Sequence, residues 1–360
     1  LAMNVESVLT DLVKARAIDV FVIAGRQLSY KLGGKILNWD DERMMPDDTE
    51  DFIQQIYHLC NDRPMDRLDS IGDDDFSFAI KGASRFRVNA YRQRGTLAAV
   101  IRVVPFDLPD SNDLNIPDEV VKLSQLNRGM VLVTGPAGSG KSTTLATIID
   151  RINTTRNVHI ITLENPIEFL HRHQMSLVSQ RELQIDTENY AVALRAAMRQ
   201  SPNVILIGEL RDSESIAIAL TAAETGHLVL STLHTVGAAN TVDRLIDSFN
   251  PSQQEQVRMQ LSMVLECVVS QQLVRLDDGG LLPAFEIMRC NNAIRNLIRE
   301  GRTHQIAQII ATSADEGMIG MDAALLKLYQ EGTINASEML NHAIVPELLA
   351  KQAGLPEDML

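Results

Sequence analysis

Apolar and polar positions change their rhythm once along the 360 residues. In the first part the period is two: Phe86, Val88 and Ala90, then Leu97, Ala99, Ile101 and Val103, the alternation of half-buried strands. Arg94-Gly95 between the runs predicts the turn of a β-hairpin. Upstream, the spacing predicts a helix over about 4–17, strands near 20–37 and a helix near 49–60. Such a mixture indicates a small α+β domain spanning 3–104. Residues 105–117 (PFDLPDSNDLNIP) hold three prolines, which break ladders and helices alike, and predict an interdomain linker.

From residue 118 onward, short continuous apolar runs at 130–134, 158–163, 203–207 and 228–233 alternate with helical stretches at about 140–153, 187–200 and 212–225. Strands separated by helices imply right-handed crossovers and a mostly parallel sheet, so the fold class is α/β. From about 251 to 360 the chain reads mainly as helices, with Asn250, Asn291 and Asn335 as caps. No internal repeat is evident.

Charge sharpens this division. Lys and Arg number 33 against 47 Asp and Glu, a formal charge of −14, which argues against nucleic acid as a partner because phosphate must be neutralised by cations. Residues 1–80 hold 8 basic and 16 acidic side chains, yet 81–104 hold Lys81, Arg85, Arg87, Arg92, Arg94 and Arg102 with no acid. The hairpin is therefore either a solvated basic face or a surface turned toward an anion. Cys60, Cys267 and Cys290 are scattered, which suits a reducing compartment and provides no four-cysteine zinc site. No apolar run approaches the ~18–20 residues of a membrane span, and no secretory signal is apparent, so a cytoplasmic protein is expected.

Four segments carry chemistry. Gly135-Pro136-Ala137-Gly138-Ser139-Gly140-Lys141-Ser142, followed by Thr143, matches the P-loop pattern, and it lies between an apolar strand and a helix as that pattern demands. Its backbone N–H groups and helix N-terminus suit phosphate, Lys141 suits the β- and γ-phosphates of ATP, and the Ser142 hydroxyl suits Mg²⁺. Glu209 ends the apolar run Val204–Ile207, 68 residues after Lys141, where a Walker B acid supports the metal. Glu164 ends another strand, in Leu163-Glu164-Asn165-Pro166-Ile167-Glu168. It either orients the attacking water or caps the turn before Pro166. His227 and His234 flank Leu228–Leu233; each is a structural histidine by default, and His234 at the carboxyl end is the better γ-phosphate sensor.

In this order the four segments resemble the ATPases of type II secretion, type IV secretion and type IV pili. The likeness extends to Arg85-Phe86-Arg87-Val88-Asn89 and covers nearly the whole chain. Ala293–Gly301 (AIRNLIREG) with Thr303–Ile306 is similar to the pilus-retraction branch, and no tetracysteine zinc module of the assembly branch is present. The resemblance implies a PAS-like N-terminal domain, a RecA-like ATPase domain with a helical C-terminal region, and a homohexameric ring hydrolysing ATP with Mg²⁺ at subunit interfaces. It implies pilus disassembly, an inner-membrane pilus platform protein and the pilus assembly ATPase as partners, and a place at the cytoplasmic face of that membrane. Arg87 and Arg102 would then be fingers reaching a neighbour's nucleotide, and His227 would join the nucleotide site. A type IV secretion or pilus-assembly ATPase is the alternative, and a RecA-type nucleic-acid translocase a more distant one. Asn165 stands where the family's acidic box has Asp, and Phe21 where it commonly has His. The helix within 286–306 is a candidate partner-facing element, unless Ile294, Leu297 and Ile298 are core.

Overall fold

The structure is a computed structural model; it describes residues 3–32, 35–104, 108, 113–276 and 279–356. The chain divides into two compact units, Leu1–Asp107 with Ile167–Leu170, and Leu108–Pro166 with His171–Leu360. Most of the linker expected over 105–117 lies outside the described residues. The four residues 167–170 were expected in the second domain but cluster with the first unit. No periodicity could have revealed that, because so short an excursion has none.

The first unit is a six-stranded antiparallel sheet in the order β3-β2-β1-β6-β5-β4. Its strands are β1 (Asp19–Val22), β2 (Gln27–Leu32), β3 (Lys35–Arg43), β4 (Asp73–Ile80), β5 (Ser84–Gln93) and β6 (Thr96–Val104). Helices Val5–Lys14 and Pro46–Leu59 bury Leu9, Leu12, Phe52, Ile53 and Ile56 against Val20, Phe86, Val88 and Ile101 of the sheet. β5 alternates strictly, with Phe86, Val88 and Ala90 buried and Arg85, Arg87 and Asn89 on the other face. The predicted hairpin is present, and Arg94 and Gly95 both take positive φ in its turn. β4 escapes sequence reading because three aspartates open it.

The second unit holds a seven-stranded sheet, ordered β13-β12-β7-β11-β10-β8-β9. It comprises β7 (Gly129–Thr134), β8 (His159–Glu164), β9 (Leu177–Glu182), β10 (Val204–Ile207), β11 (Leu228–Leu233), β12 (Leu265–Arg275) and β13 (Leu281–Arg289). All neighbouring pairs are parallel except β12 with β13. Helices cover both faces, so successive residues of one strand serve opposite cores: Met130 and Leu132 pack in one cluster, Val131 and Val133 in the other.

β12 and β13 correct the expectation of a helical 251–360. Ser270, Gln271 and Gln272 are buried in the middle of β12, so its apolar run is interrupted and its strand signal weakened. Helices do follow, and Asn291 and Asn335 cap two of them, but Asn250 makes no side-chain cap. In the helix Asn292–Arg299, Ile294, Leu297 and Ile298 are buried, so its apolar stripe is core and not a docking face.

Candidate active site

Parallel strands gather chemistry at their carboxyl ends, and four of them do so here. β7 runs into the phosphate-type loop, which turns at Gly135 and enters the helix Lys141–Thr155 through Gly140 in the left-handed region, φ 88°. A Cβ at Gly135 would lie 2.1 Å from the Gln271 carbonyl oxygen, and one at Gly140 2.8 Å from Gln271 Nε2. Gln271 belongs to β12, and its Oε1 accepts the Thr144 hydroxyl at 2.7 Å. The loop is thus held from the side by a strand that sequence reading took for helix.

Inside the loop, Lys141 Nζ donates to the carbonyls of Gly135 and Pro136, both at 2.9 Å. Ser139 Oγ is buried with no hydrogen-bond partner among the described residues. An orphaned hydroxyl costs about 1–3 kcal/mol when buried, and a phosphate oxygen would satisfy it. Positive helix end, glycine cradle, ammonium and orphaned hydroxyl together fit a nucleotide phosphate. Ser142 and Thr143 occupy the first turn of the same helix.

The ends of β8, β10 and β11 are stitched together by short bonds. The Gly208 N–H donates to the Leu163 carbonyl at 2.7 Å, and the Leu210 N–H to the Thr232 carbonyl at 3.1 Å. The Thr232 hydroxyl returns to the Gly208 carbonyl at 2.6 Å. A Cβ at Gly208 would meet the Tyr190 hydroxyl at 2.8 Å and Glu164 Cα at 3.4 Å, so only glycine lets these segments close. Glu209 then pairs with Arg211 Nη2 at 2.7 Å and with His234 Nε2 at 3.2 Å. The structure brings Glu209 and His234 into contact, and the Glu209 carboxylate holds the Arg211 guanidinium above its usual pKa. For Mg²⁺, a hard cation that keeps several waters and takes phosphate oxygens, the Ser142 hydroxyl and Glu209 carboxylate are suitable donors.

Glu164 Oε1 accepts the Thr162 hydroxyl at 2.5 Å and Gln180 Nε2 at 3.2 Å. It is partly exposed at the end of β8. Tyr190 lies between the two acids: burial, then Glu209 and Glu164, raise its pKa above the usual phenol range, and the Glu209 backbone hydrogen-bonds to its hydroxyl. Thr162, Gln180, Tyr190 and Gln271 were missed from sequence. Gln180 sits on β9, which went unpredicted, and Tyr190 and Gln271 are recognisable only once β8, β10 and β12 are placed.

His227 stands apart from the other candidate residues. It lies at the amino end of β11, with Nδ1 2.9 Å from the Ala222 carbonyl. Six strand residues at about 3.3 Å each separate it from the carboxyl edge.

Arg87 and Arg102 belong to the first unit. They pair directly across β5 and β6, and Asp19 of β1 stands opposite Arg102 on the other side. The Arg102 Nε donates to Asp19 Oδ1 at 2.8 Å, which raises the Arg102 pKa. A cavity of about 190 Å³ lies between Asp19, Asp75, Arg87, Asn89, Val100 and Arg102.

Similarities to known proteins agree with this geometry. A Pseudomonas aeruginosa protein named "Type IV pilus retractation ATPase PilT" is 40% identical over 96% of this chain and 99% of its own length. The crystal structure of the pilus retraction motor PilT with bound ADP superposes with a TM-score of 0.89 at 40% identity, covering 97% of this chain and 99% of that one. The Legionella pneumophila ATPase DotB superposes with a TM-score of 0.74 at 28% identity, covering 92% and 93%. Residues 3–341 match the family described as type II/IV secretion system protein, and this chain belongs to that family.

Proposed function

We propose that this chain is the ATP-hydrolysing subunit of a motor that retracts type IV pilus filaments. The observation that carries the reading is the convergence of the Lys141 loop, Glu164 and the Glu209–His234 pair at one sheet edge. It occurs in a chain similar over nearly its full length to a named retraction ATPase and to an ADP-bound retraction motor. A type IV secretion ATPase is the less favoured reading, since the DotB likeness is weaker in both identity and superposition.

In this reading the second unit is a RecA-like nucleotide domain and the first a PAS-like domain. Lys141 leaves its loop carbonyls to neutralise the β- and γ-phosphates, and Ser139 donates its orphaned hydroxyl to a phosphate oxygen. Ser142 and Glu209 would hold Mg²⁺, which supplies charge neutralisation on the phosphate oxygens. Glu164 takes a hydrogen bond from the attacking water and aligns it with the γ-phosphate. His234, tied to Glu209, reads whether that phosphate is present. Arg87 and Arg102 of a neighbouring copy neutralise charge that develops during transfer, a contribution worth ~10³–10⁵ in rate, about 4–7 kcal/mol. The protein accordingly works as a homohexamer at the cytoplasmic face of the inner membrane, against a pilus platform protein and beside the assembly ATPase. The surplus of acid, −14 in all, disfavours nucleic acid as the cargo.

Counting surface pili on cells that carry chromosomal Lys141→Ala tests the assignment. Retraction predicts more pili than wild type, because assembly runs unopposed. Loss of pili would make the chain an assembly motor, and unchanged pili would move it to secretion.

A further inference from the structure

We propose that Gln180 is a positioning residue for ATP hydrolysis: its side-chain amide links the Glu164 carboxylate to the backbone of His171 and so fixes the carboxylate toward water. The proposal deepens the reading of Glu164 as the group that aligns the attacking water, and it rests on that reading.

Gln180 lies on β9 and pairs with Thr162 of β8 in parallel register, two residues before Glu164. Its Nε2 donates to Glu164 Oε1 at 3.2 Å, and its Oε1 accepts the His171 N–H at 2.8 Å. The Thr162 hydroxyl donates to the same Glu164 oxygen at 2.5 Å. Two donors converging on one oxygen hold the carboxylate against rotation about its last bond. Glutamine suits this place because one amide carries both a donor and an acceptor. A carboxylate at 180 keeps only the acceptor at neutral pH, and an aliphatic chain has neither.

The place of the link along the chain gives it a second meaning. After Glu164, Asn165 and Pro166 the chain leaves the nucleotide unit; Ile167–Leu170 cluster with the other unit, and His171 is the first residue back. Gln180 therefore joins Glu164, three residues before this excursion begins, to His171, the first residue after it ends. Without the link, the carboxylate would stand on a strand end flanked by a segment committed elsewhere. With it, the excursion is closed at its base, and Glu164 keeps one orientation whatever the segment does.

The test is steady-state ATP hydrolysis by the full chain, comparing wild type, Gln180→Leu, Gln180→Glu and Glu164→Gln, with affinity for a fluorescent ATP analogue measured on each. Gln180→Leu is expected to lower kcat about 10–100-fold while KM and analogue affinity stay within about twofold of wild type. Gln180→Glu keeps the acceptor for His171 but sets a second carboxylate beside Glu164. It should move the acid limb of the kcat–pH profile upward by about one unit. A residue 180 that did not face Glu164 in the working enzyme would not move that limb, and the kcat loss of Gln180→Leu at unchanged KM separates positioning from mere proximity. Should Gln180→Leu fail to bind the analogue through misfolding, the profile of Gln180→Glu decides. Wild-type kcat with an unshifted limb, while Glu164→Gln is slowed about 10²-fold, overturns the role of Gln180 alone. A raised KM with kcat intact does the same. Wild-type turnover by Glu164→Gln overturns the underlying assignment of Glu164, and the proposal with it.

Discussion

The carboxyl edge of the seven-stranded sheet and the arginine face of the six-stranded sheet hold their charges in opposite ways. At the first, each charged group is answered by a neighbour: Glu209 by Arg211 and His234, Glu164 by Thr162 and Gln180, Lys141 by two loop carbonyls. At the second, Arg87 and Arg102 face each other directly across two strands, and among the described residues only Arg102 has a carboxylate partner, Asp19. Like charges directly opposite on a sheet are destabilising, by roughly 0.2–1 kcal/mol. Asp19 offsets part of that repulsion at Arg102, and under the proposed function the pair meets the anion of a neighbouring copy. One region answers each charge from within its own strand ends, and the other sets two guanidiniums side by side beside Asp19 and Asp75.

The comparison can be sharpened by substitutions, beginning with the largest effect. Lys141→Ala should reduce hydrolysis to background and weaken ATP binding, read by turnover and by analogue titration. Arg87→Ala should lower kcat by about 10³ yet leave ATP affinity and thermal stability near wild type, since a finger acts on the transition state. If Arg87→Ala unfolds the protein at lower temperature, the arginine face is structural and the contrast collapses. Glu164→Gln should bind ATP normally and turn over about 10²-fold more slowly, measured in single-turnover experiments.

A smaller effect concerns pH. Burial lowers the His171 imidazole from 6.5 to about 4. The folded chain therefore keeps His171 neutral while the unfolded chain protonates it. Stability is full above pH 6.5 and is lost as pH falls toward 4, by up to about 3 kcal/mol. His171→Gln should flatten that part of the stability curve in urea titrations between pH 7 and 4, without changing turnover at neutral pH.

Much of the nucleotide site is legible in sequence because each motif sits at the end of an unbroken apolar run. Met130–Val133 before the loop, Val204–Ile207 before Glu209 and Leu228–Leu233 before His234 are buried throughout, and parallel strands demand such runs. What escapes reading is polar and buried. Gln271 and Ser270 in β12 accept hydrogen bonds from the Thr144 hydroxyl and the Gly237 N–H, and these polar side chains erase the apolar signature of the strand. Tyr190 follows Asn189 at the start of a helix and looks like any amphipathic position until the Gly208 gap is filled. His227 shares a segment with His234, and the strand between them places the two at opposite ends. The arginines were legible as a charge pattern, and only the register of β5 with β6 puts Arg87 opposite Arg102.

The claim that joins the two regions is that Arg87 of one copy and Glu164 of its neighbour act on the same phosphate. Co-expressing Arg87→Ala with Glu164→Gln and assaying ATP hydrolysis by the mixed assembly tests it directly. Each variant alone turns over about 10²- to 10³-fold more slowly than wild type, but in mixed rings about a quarter of the interfaces combine an intact Glu164 with an intact Arg87. The account predicts recovery to about that fraction of wild-type activity. Turnover no higher than that of the two variants assayed separately would contradict it.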